Sequence, residues 1–158
     1  MTADSLVIRP LRIEDAGEVM TLQRAAFVQE AQIYGTADLP ALTQTLDEVR
    51  AEVRENDGCV ALLDGRMVGA VRARHDGPLL LIGRLAIAPD MQGEGIGTAL
   101  LSAVEDRGRN LGCRTAELFT GSLSEANIRL YERCGYRQAE RVPGDDGTEQ
   151  VFLRKSLD

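Results

Sequence analysis

From Leu79 to Leu111 the chain reads LLLIGRLAIAPDMQGEGIGTALLSAVEDRGRNL, an apolar run, a proline turn, a glycine-rich loop and a helical pattern in immediate succession. The nearly continuous apolar stretch Leu79 to Ala88 predicts a strand buried on both faces in the middle of a sheet. Leu100, Leu101, Val104 and Leu111 recur at helical spacing, so a helix is expected from about Gly97 to Asn110, with Gly112 as a left-handed cap. Between the two, Gly93, Gly95 and Gly97 stand at alternate positions. Glycine inside a helix costs about 0.5–1 kcal/mol relative to alanine, so their clustering needs another purpose. The first turn of a helix has unpaired N–H groups and partial positive charge, and residues without Cβ let an anion come close. A phosphate-bearing ligand is therefore expected at this helix mouth.

The flanking sequence alternates in the same way. Leu6 to Leu11 predicts a strand, and Asp15 to Glu30 and Leu42 to Arg54 predict helices separated by the loop IYGTADLP. Cys59 to Leu63 and Met67 to Arg74 predict two strands joined at Asp64-Gly65. Thr115 to Thr120 is a further strand. Ser122 and Glu125 stand at capping-box spacing before a helix that ends at Cys134-Gly135. Tyr136 to Arg141 and Gln150 to Arg154 complete the set, joined by VPGDDGTE. The order is β-α-α-β-β-β-α-β-α-β-β, a mixed α/β sheet with helices on its faces. No repeat or linker divides the 158 residues, so a single domain spanning 1–158 is expected.

Composition narrows the function classes. A formal charge of −7 argues against general nucleic-acid affinity and mildly favours cationic substrates. No apolar run approaches the roughly 20 residues that span a bilayer, and MTADSLVIRP lacks the blocks of a signal peptide, so a cytoplasmic, non-membrane location is expected. Cys59, Cys113 and Cys134 lack CxxC spacing, which predicts core residues and neither disulfides nor a metal site. His75, beside Asp-Gly-Pro, reads as a turn residue.

Two nucleotide loops fail on their own terms. A P-loop needs a GK pair, and the chain has none. In a dinucleotide fingerprint counted from Gly93 or Gly95, the last glycine falls on Thr98 or Leu100. Gln92, Gly95 and Gly97 instead read QxxGxG. With LAIAPDMQGEGIGTALL before it and NIRLYERCGYR at Asn127 to Arg137, the chain resembles the GCN5-related N-acetyltransferase family over essentially its whole length.

The resemblance implies an acyl-CoA N-acyltransferase fold with a splayed central sheet. It also implies acetyl-coenzyme A as the acetyl donor and direct attack by a primary amine without a covalent enzyme intermediate. Amides near Gly93, Gly95, Ile96, Gly97 and Thr98 would cradle the pyrophosphate, with Gln92 in the motif and Glu94 pointing to solvent. Leu85, Ala86 and Ile87 match the segment along which the pantetheine arm lies, with an N–H near Ala86 or Ile87 for the acetyl carbonyl. Tyr131 matches the general acid that protonates the departing thiolate. Asn127, or Ser124 at the position where many relatives carry asparagine, would add a polar contact to the cofactor.

The base is less defined. Relatives with a strand glutamate would place it near Leu81, so Glu117, Glu30 and Tyr34 are the polar candidates, with a water chain as an alternative. Either glutamate also reads as a solvated surface charge. Arg84 reads either as an arginine facing the acceptor and holding a carboxylate, or as the partner of an acidic neighbour. Ala31 to Leu42 and Val142 to Glu149 are expected to flank the acceptor, a small molecule or a peptide amine. A homodimer stays open. So does a second class of protein, a coenzyme A-binding sensor or interaction module without turnover.

Overall fold

The computed structural model describes residues 5–158; the first four, part of the segment read for a leader, lie outside the described residues. Seven strands form one sheet in the order β1-β2-β3-β4-β5-β7-β6. They are β1 Leu6–Pro10, β2 Asp57–Leu63, β3 Arg66–Asp76, β4 Leu79–Ile87, β5 Thr115–Gly121, β6 Arg137–Pro143 and β7 Glu149–Ser156. The helices are α1 Ala16–Tyr34, α2 Pro40–Thr43, α3 Leu46–Glu55, α4 Ile96–Asn110 and α5 Glu125–Arg133. β4 and β5 are parallel, and the other neighbours are antiparallel. The sheet is therefore mixed, as the sequence predicts.

Several boundaries differ for identifiable reasons. α1 runs past Glu30 to Tyr34 and stops where Gly35 turns left-handed, so Ile33 and Tyr34 are helical and not part of a loop. The expected helix from Leu42 divides in two. The break falls at Thr45, whose hydroxyl accepts from the Glu48 amide while the Glu48 carboxylate accepts from the Thr45 amide, making α3 begin at its own capping box. The capping role expected of Ser122 is not seen: α5 starts at Glu125, and the Ser122 hydroxyl accepts from the Glu149 amide. His75, read as a turn residue, lies in β3 one residue before its end and pairs with Leu80.

β4 also departs from expectation. Its residues alternate between buried and half-buried, because α4 covers one face while the other borders an open cleft. α4 packs closely against the strand beside it at Gly69, where a Cβ would lie 2.8 Å from Leu100 and 2.9 Å from Ile96. Fully buried Val60, Val68, Val71, Leu100, Leu101, Val104 and Leu153 form the centre of the core. Cys59 and Cys113 are buried with them, and Cys134 is half-buried.

One charged group sits inside this apolar layer. Glu105 of α4, 3% exposed, accepts from the Tyr136 hydroxyl at 2.7 Å and from Lys155 Nζ at 2.8 Å. A buried carboxylate persists only when paired and hydrogen-bonded, and both conditions are met. The cluster ties α4 to β7 and to Tyr136, the residue just before β6.

Candidate active site

The glycine loop has the geometry an anion cradle needs. Gly93 and Gly95 adopt φ of +82° and +79°, with open space where a Cβ would project. Their requirement is thus conformational: the left-handed turns swing the chain so that α4 begins with bare amides. Gly95 is the N-cap and supplies no side-chain acceptor, so the first-turn N–H groups of α4 face the cavity without a protein cap. Gly97 serves packing instead, since its Cβ would come within 3.2 Å of Leu130 on α5. Gln92, Gly93, Gly95, Ile96, Gly97 and Thr98 line a cavity of about 530 Å³, whereas Glu94 is exposed and absent from its wall. Gln92 Nε2 donates to Gln29 of α1 at 3.3 Å. A pyrophosphate fits this arrangement of uncapped amides at a positive helix end.

A second cavity of about 620 Å³ adjoins it, and the two share Phe27, Glu30, Leu85, Ser124 and Asn127. Its origin is the splay of the sheet. β4 and β5 pair only at Leu79–Leu81 with Thr115–Glu117 and then diverge. A bulge in β4 opens the gap further: Gly83 pairs with Arg72 and Ala86 with Ala70, so Arg84 and Leu85 oppose Val71 alone. Beyond Leu81 the β5-facing edge of β4 therefore has no strand partner. Leu85 and Ile87 border the cavities, and Ala86 lies between them, 2% exposed.

Tyr131 of α5 lines the larger cavity. It is 7% exposed and stacks edge-on against Tyr136 at 6.3 Å. Burial, then the negative charge of Glu30, push its pKa up, so the hydroxyl stays protonated across the neutral range. Glu30 is the hub of a polar network. It accepts from Ser124 Oγ at 2.7 Å and from Asn127 Nδ2 at 3.0 Å. Because the single Ser124 proton points to Glu30, the 2.7 Å contact with Tyr34 is one in which the Tyr34 hydroxyl donates. Ser124 and Asn127, expected to serve the cofactor directly, are thus held by Glu30 while remaining on the cavity walls.

The structure does not bring Glu117 into this constellation. Its carboxylate is bound to Arg154 at 3.1 Å, and it lines neither cavity. Of the expected flanking segments, Tyr34, Leu39, Pro40 and Ala41 line the larger cavity, but from Val142–Glu149 no residue does. β6 and β7 carry that hairpin away from the cleft.

The sequence gives little notice of the polar cluster on the far wall. Arg72, 5% exposed, donates to Gln23 at 2.9 Å and to Glu52 at 2.7 Å. Gln44 donates to the same glutamate at 2.5 Å and accepts from Gln23 at 2.9 Å. Burial would raise the Glu52 pKa, but the charge and hydrogen bonds of Arg72, with Gln44, outweigh it and hold the carboxyl below its ordinary range. Arg84 reaches Glu52 only at 3.5 Å. Gly121 was likewise unmarked; a Cβ there would overlap the Tyr34 hydroxyl.

The fold and site together describe a class, a splayed mixed α/β sheet with uncapped helix amides at one cavity, a free strand edge beside it and a buried tyrosine on the wall of the adjoining cavity. Residues 18–136 match the family described as Acetyltransferase (GNAT) family, and the chain belongs to that family. Aminoglycoside N(6')-acetyltransferase type 1 of Stenotrophomonas maltophilia is 33% identical over 117 residues, 65% of this chain and 75% of that protein. UPF0157 protein YqkA of Bacillus subtilis is 29% identical over 132 residues, 84% of this chain but 37% of YqkA. The chain thus spans little more than a third of that relative's length. PaiA N-acetyltransferase of Thermoplasma acidophilum, solved in complex with coenzyme A, has a TM-score of 0.82 at 16% identity, with 96% of this chain and 99% of that chain covered. The yncA protein of Salmonella typhimurium, solved with its cofactor acetyl-CoA, has a TM-score of 0.79 at 20% identity, with 97% and 94% covered. Among the described residues no helix is long and apolar enough to cross a membrane.

Proposed function

We propose that the chain is an acetyl-CoA-dependent N-acetyltransferase that acts on a small primary amine by direct transfer, with residues 1–158 as one catalytic domain. The observation carrying this reading is the meeting of two cavities at Glu30, one ending at the uncapped amides of α4 and the other lined by Tyr131 and open to an acceptor. Acetyl-CoA supplies an activated thioester. The amides of Ile96, Gly97 and Thr98 hold the pyrophosphate, and the free edge of β4 from Leu85 to Ile87 receives the pantetheine amides. An N–H at Ala86 or Ile87 favours the charge that develops on the carbonyl oxygen. Glu30, directly or through one water, takes the proton that leaves the amine nitrogen. Tyr131 gives its proton to the departing sulfur. Tyr131 starts in the form its step requires, because its raised pKa keeps the hydroxyl protonated.

The test is coenzyme A thiol release from acetyl-CoA with a panel of primary amines. Acceptor-dependent release, with an intersecting pattern of initial rates when both substrates are varied, is expected. Binding of acetyl-CoA with no release on any amine would overturn catalysis in favour of a sensor or interaction module.

A second experiment addresses the Glu30 network. Gly121→Ala displaces the Tyr34 hydroxyl from Ser124, and about a tenfold loss of turnover is expected with little change in melting temperature. In a Tyr34→Phe background the same substitution should cost markedly less, because the displaced hydroxyl is already gone. Equal losses in both backgrounds would show that Tyr34 is not the route.

A further inference from the structure

We infer that the acceptor is an amine that also carries a carboxylate, an amino acid with an apolar side chain, and that Arg84 binds the carboxylate. The inference rests on the acetyltransferase reading above and names its substrate class.

Three observations converge on Arg84. Its φ of +53° is the left-handed region, which a non-glycine residue occupies at a cost of order 1–3 kcal/mol and keeps only where the surroundings enforce it. The bulge enforces it, and the result is an arginine turned out of an apolar strand into the larger cavity. Its bonding is incomplete: Nε is buried with no hydrogen-bond partner among the described residues, and one guanidinium nitrogen reaches Glu52 at 3.5 Å, the outer limit of a hydrogen bond. Glu52 is shared among several donors, with Oε2 taken by Arg72 and Oε1 by Gln44, and Arg84 holds only its outermost contact. A guanidinium has five donors in a planar fork suited to a carboxylate. One bound carboxylate would complete the fork.

Charge in the cavity agrees. Arg72, Arg74 and Arg84 line it against Glu30 and Glu52. The cations and Glu52 occupy the wall formed by β3, β4 and α3. Glu30 stands across from them at the junction, beside Ser124 and Asn127. The site is therefore polarised, with a cation-rich end for an anion and a carboxylate at the reacting end for an ammonium. Spacing fits a short molecule. Arg84 lies only two residues before Ala86, at most about 7 Å of chain even if extended, a length within reach of the amine and carboxylate of an amino acid with one hydrogen bond. Phe27, Leu39, Leu81 and Phe119 supply apolar walls for its side chain. A polycationic aminosugar would instead bring like charges against three arginines. The net charge of −7 thus misleads about the cavity, whose own balance has the opposite sign.

The experiment compares leucine, methionine and phenylalanine with their amides and with the corresponding decarboxylated amines, and with tobramycin as the polycation. Thiol release and calorimetric binding to the coenzyme A-loaded protein are read in parallel, on wild type and on Arg84→Gln. The free amino acids should exceed amides and amines by tenfold or more in kcat/KM. Arg84→Gln should erase that preference through KM, leaving acetyl-CoA affinity unchanged. Arg84-dependent amino acid binding without release would uphold the substrate class and overturn turnover. Equal or better use of the amides, simple amines or tobramycin would overturn the inference while upholding acetyl transfer, and so would an Arg84→Gln loss shared equally by every acceptor. No binding and no release on any amine would overturn both.

Discussion

Tyr131→Phe lowers turnover by about 10²- to 10⁴-fold while acetyl-CoA binds with nearly wild-type affinity, the range expected when a positioned general acid is removed. The substitution deletes one oxygen and keeps the ring, so the edge-on contact with Tyr136 survives and folding is spared. What disappears is the proton source beside the leaving sulfur. Because burial and Glu30 raise the Tyr131 pKa, loss of its proton does not limit the rate at neutral or mildly alkaline pH. Any rise in rate between about pH 6 and 9 therefore belongs to deprotonation of the acceptor amine. Initial rates across that range, with calorimetric titration of acetyl-CoA, check both statements. A variant that kept more than half of its activity would remove Tyr131 from the reaction.

Gly95→Val has the largest expected effect on cofactor affinity, a weakening of about 10- to 100-fold. At φ of +79° a β-branched residue is strained by roughly 1–3 kcal/mol, and relief of that strain rotates the first amides of α4 away from the cavity. The space above Gly95 is open, so a steric clash with the rest of the protein contributes nothing. Glu94→Arg, one residue earlier, is the internal control. Glu94 is exposed and off the cavity wall, and the variant should bind acetyl-CoA equally or more tightly. If Glu94→Arg abolished binding, the placement of that side chain in solvent would be wrong. Melting temperatures of both variants separate loss of the cradle from loss of the fold.

The parts legible in the sequence are those governed by local rules. Helical spacing along Leu100, Leu101 and Val104, the glycine turns and the Asp64-Gly65 hairpin each act within a few residues, and their elements stand where periodicity puts them. Tyr131 and the cradle were reached because the motifs carrying them are contiguous. The constellation around Glu52 had no such signal. Gln23, Gln44, Glu52, Arg72 and Arg84 come from five separate segments, and no spacing rule links residues that meet only after α1 and α3 pack on the sheet. Glu117 misled for the related reason that a strand glutamate has two faces. Its partner, Arg154 on β7, lies 37 residues further along the chain. The left-handed conformation of Arg84 was invisible as well, since an arginine with positive φ leaves no mark in composition.

The divergence of β4 from β5 has a thermodynamic side. Three residue pairs are all that join the block β1 to β4 to the block β5, β7, β6 through the sheet, so backbone pairing across the middle of the molecule is the least redundant part of its hydrogen-bonding. An extended acyl carrier lying along the open edge of β4 would act as a surrogate strand. Ligand binding and the integrity of the sheet then draw on the same bonds, and by mass action each tenfold excess of ligand over its dissociation constant deepens the native well by about 1.4 kcal/mol. A donor lying there would close a seam in the sheet, and its supply would then bear on how long the folded chain survives.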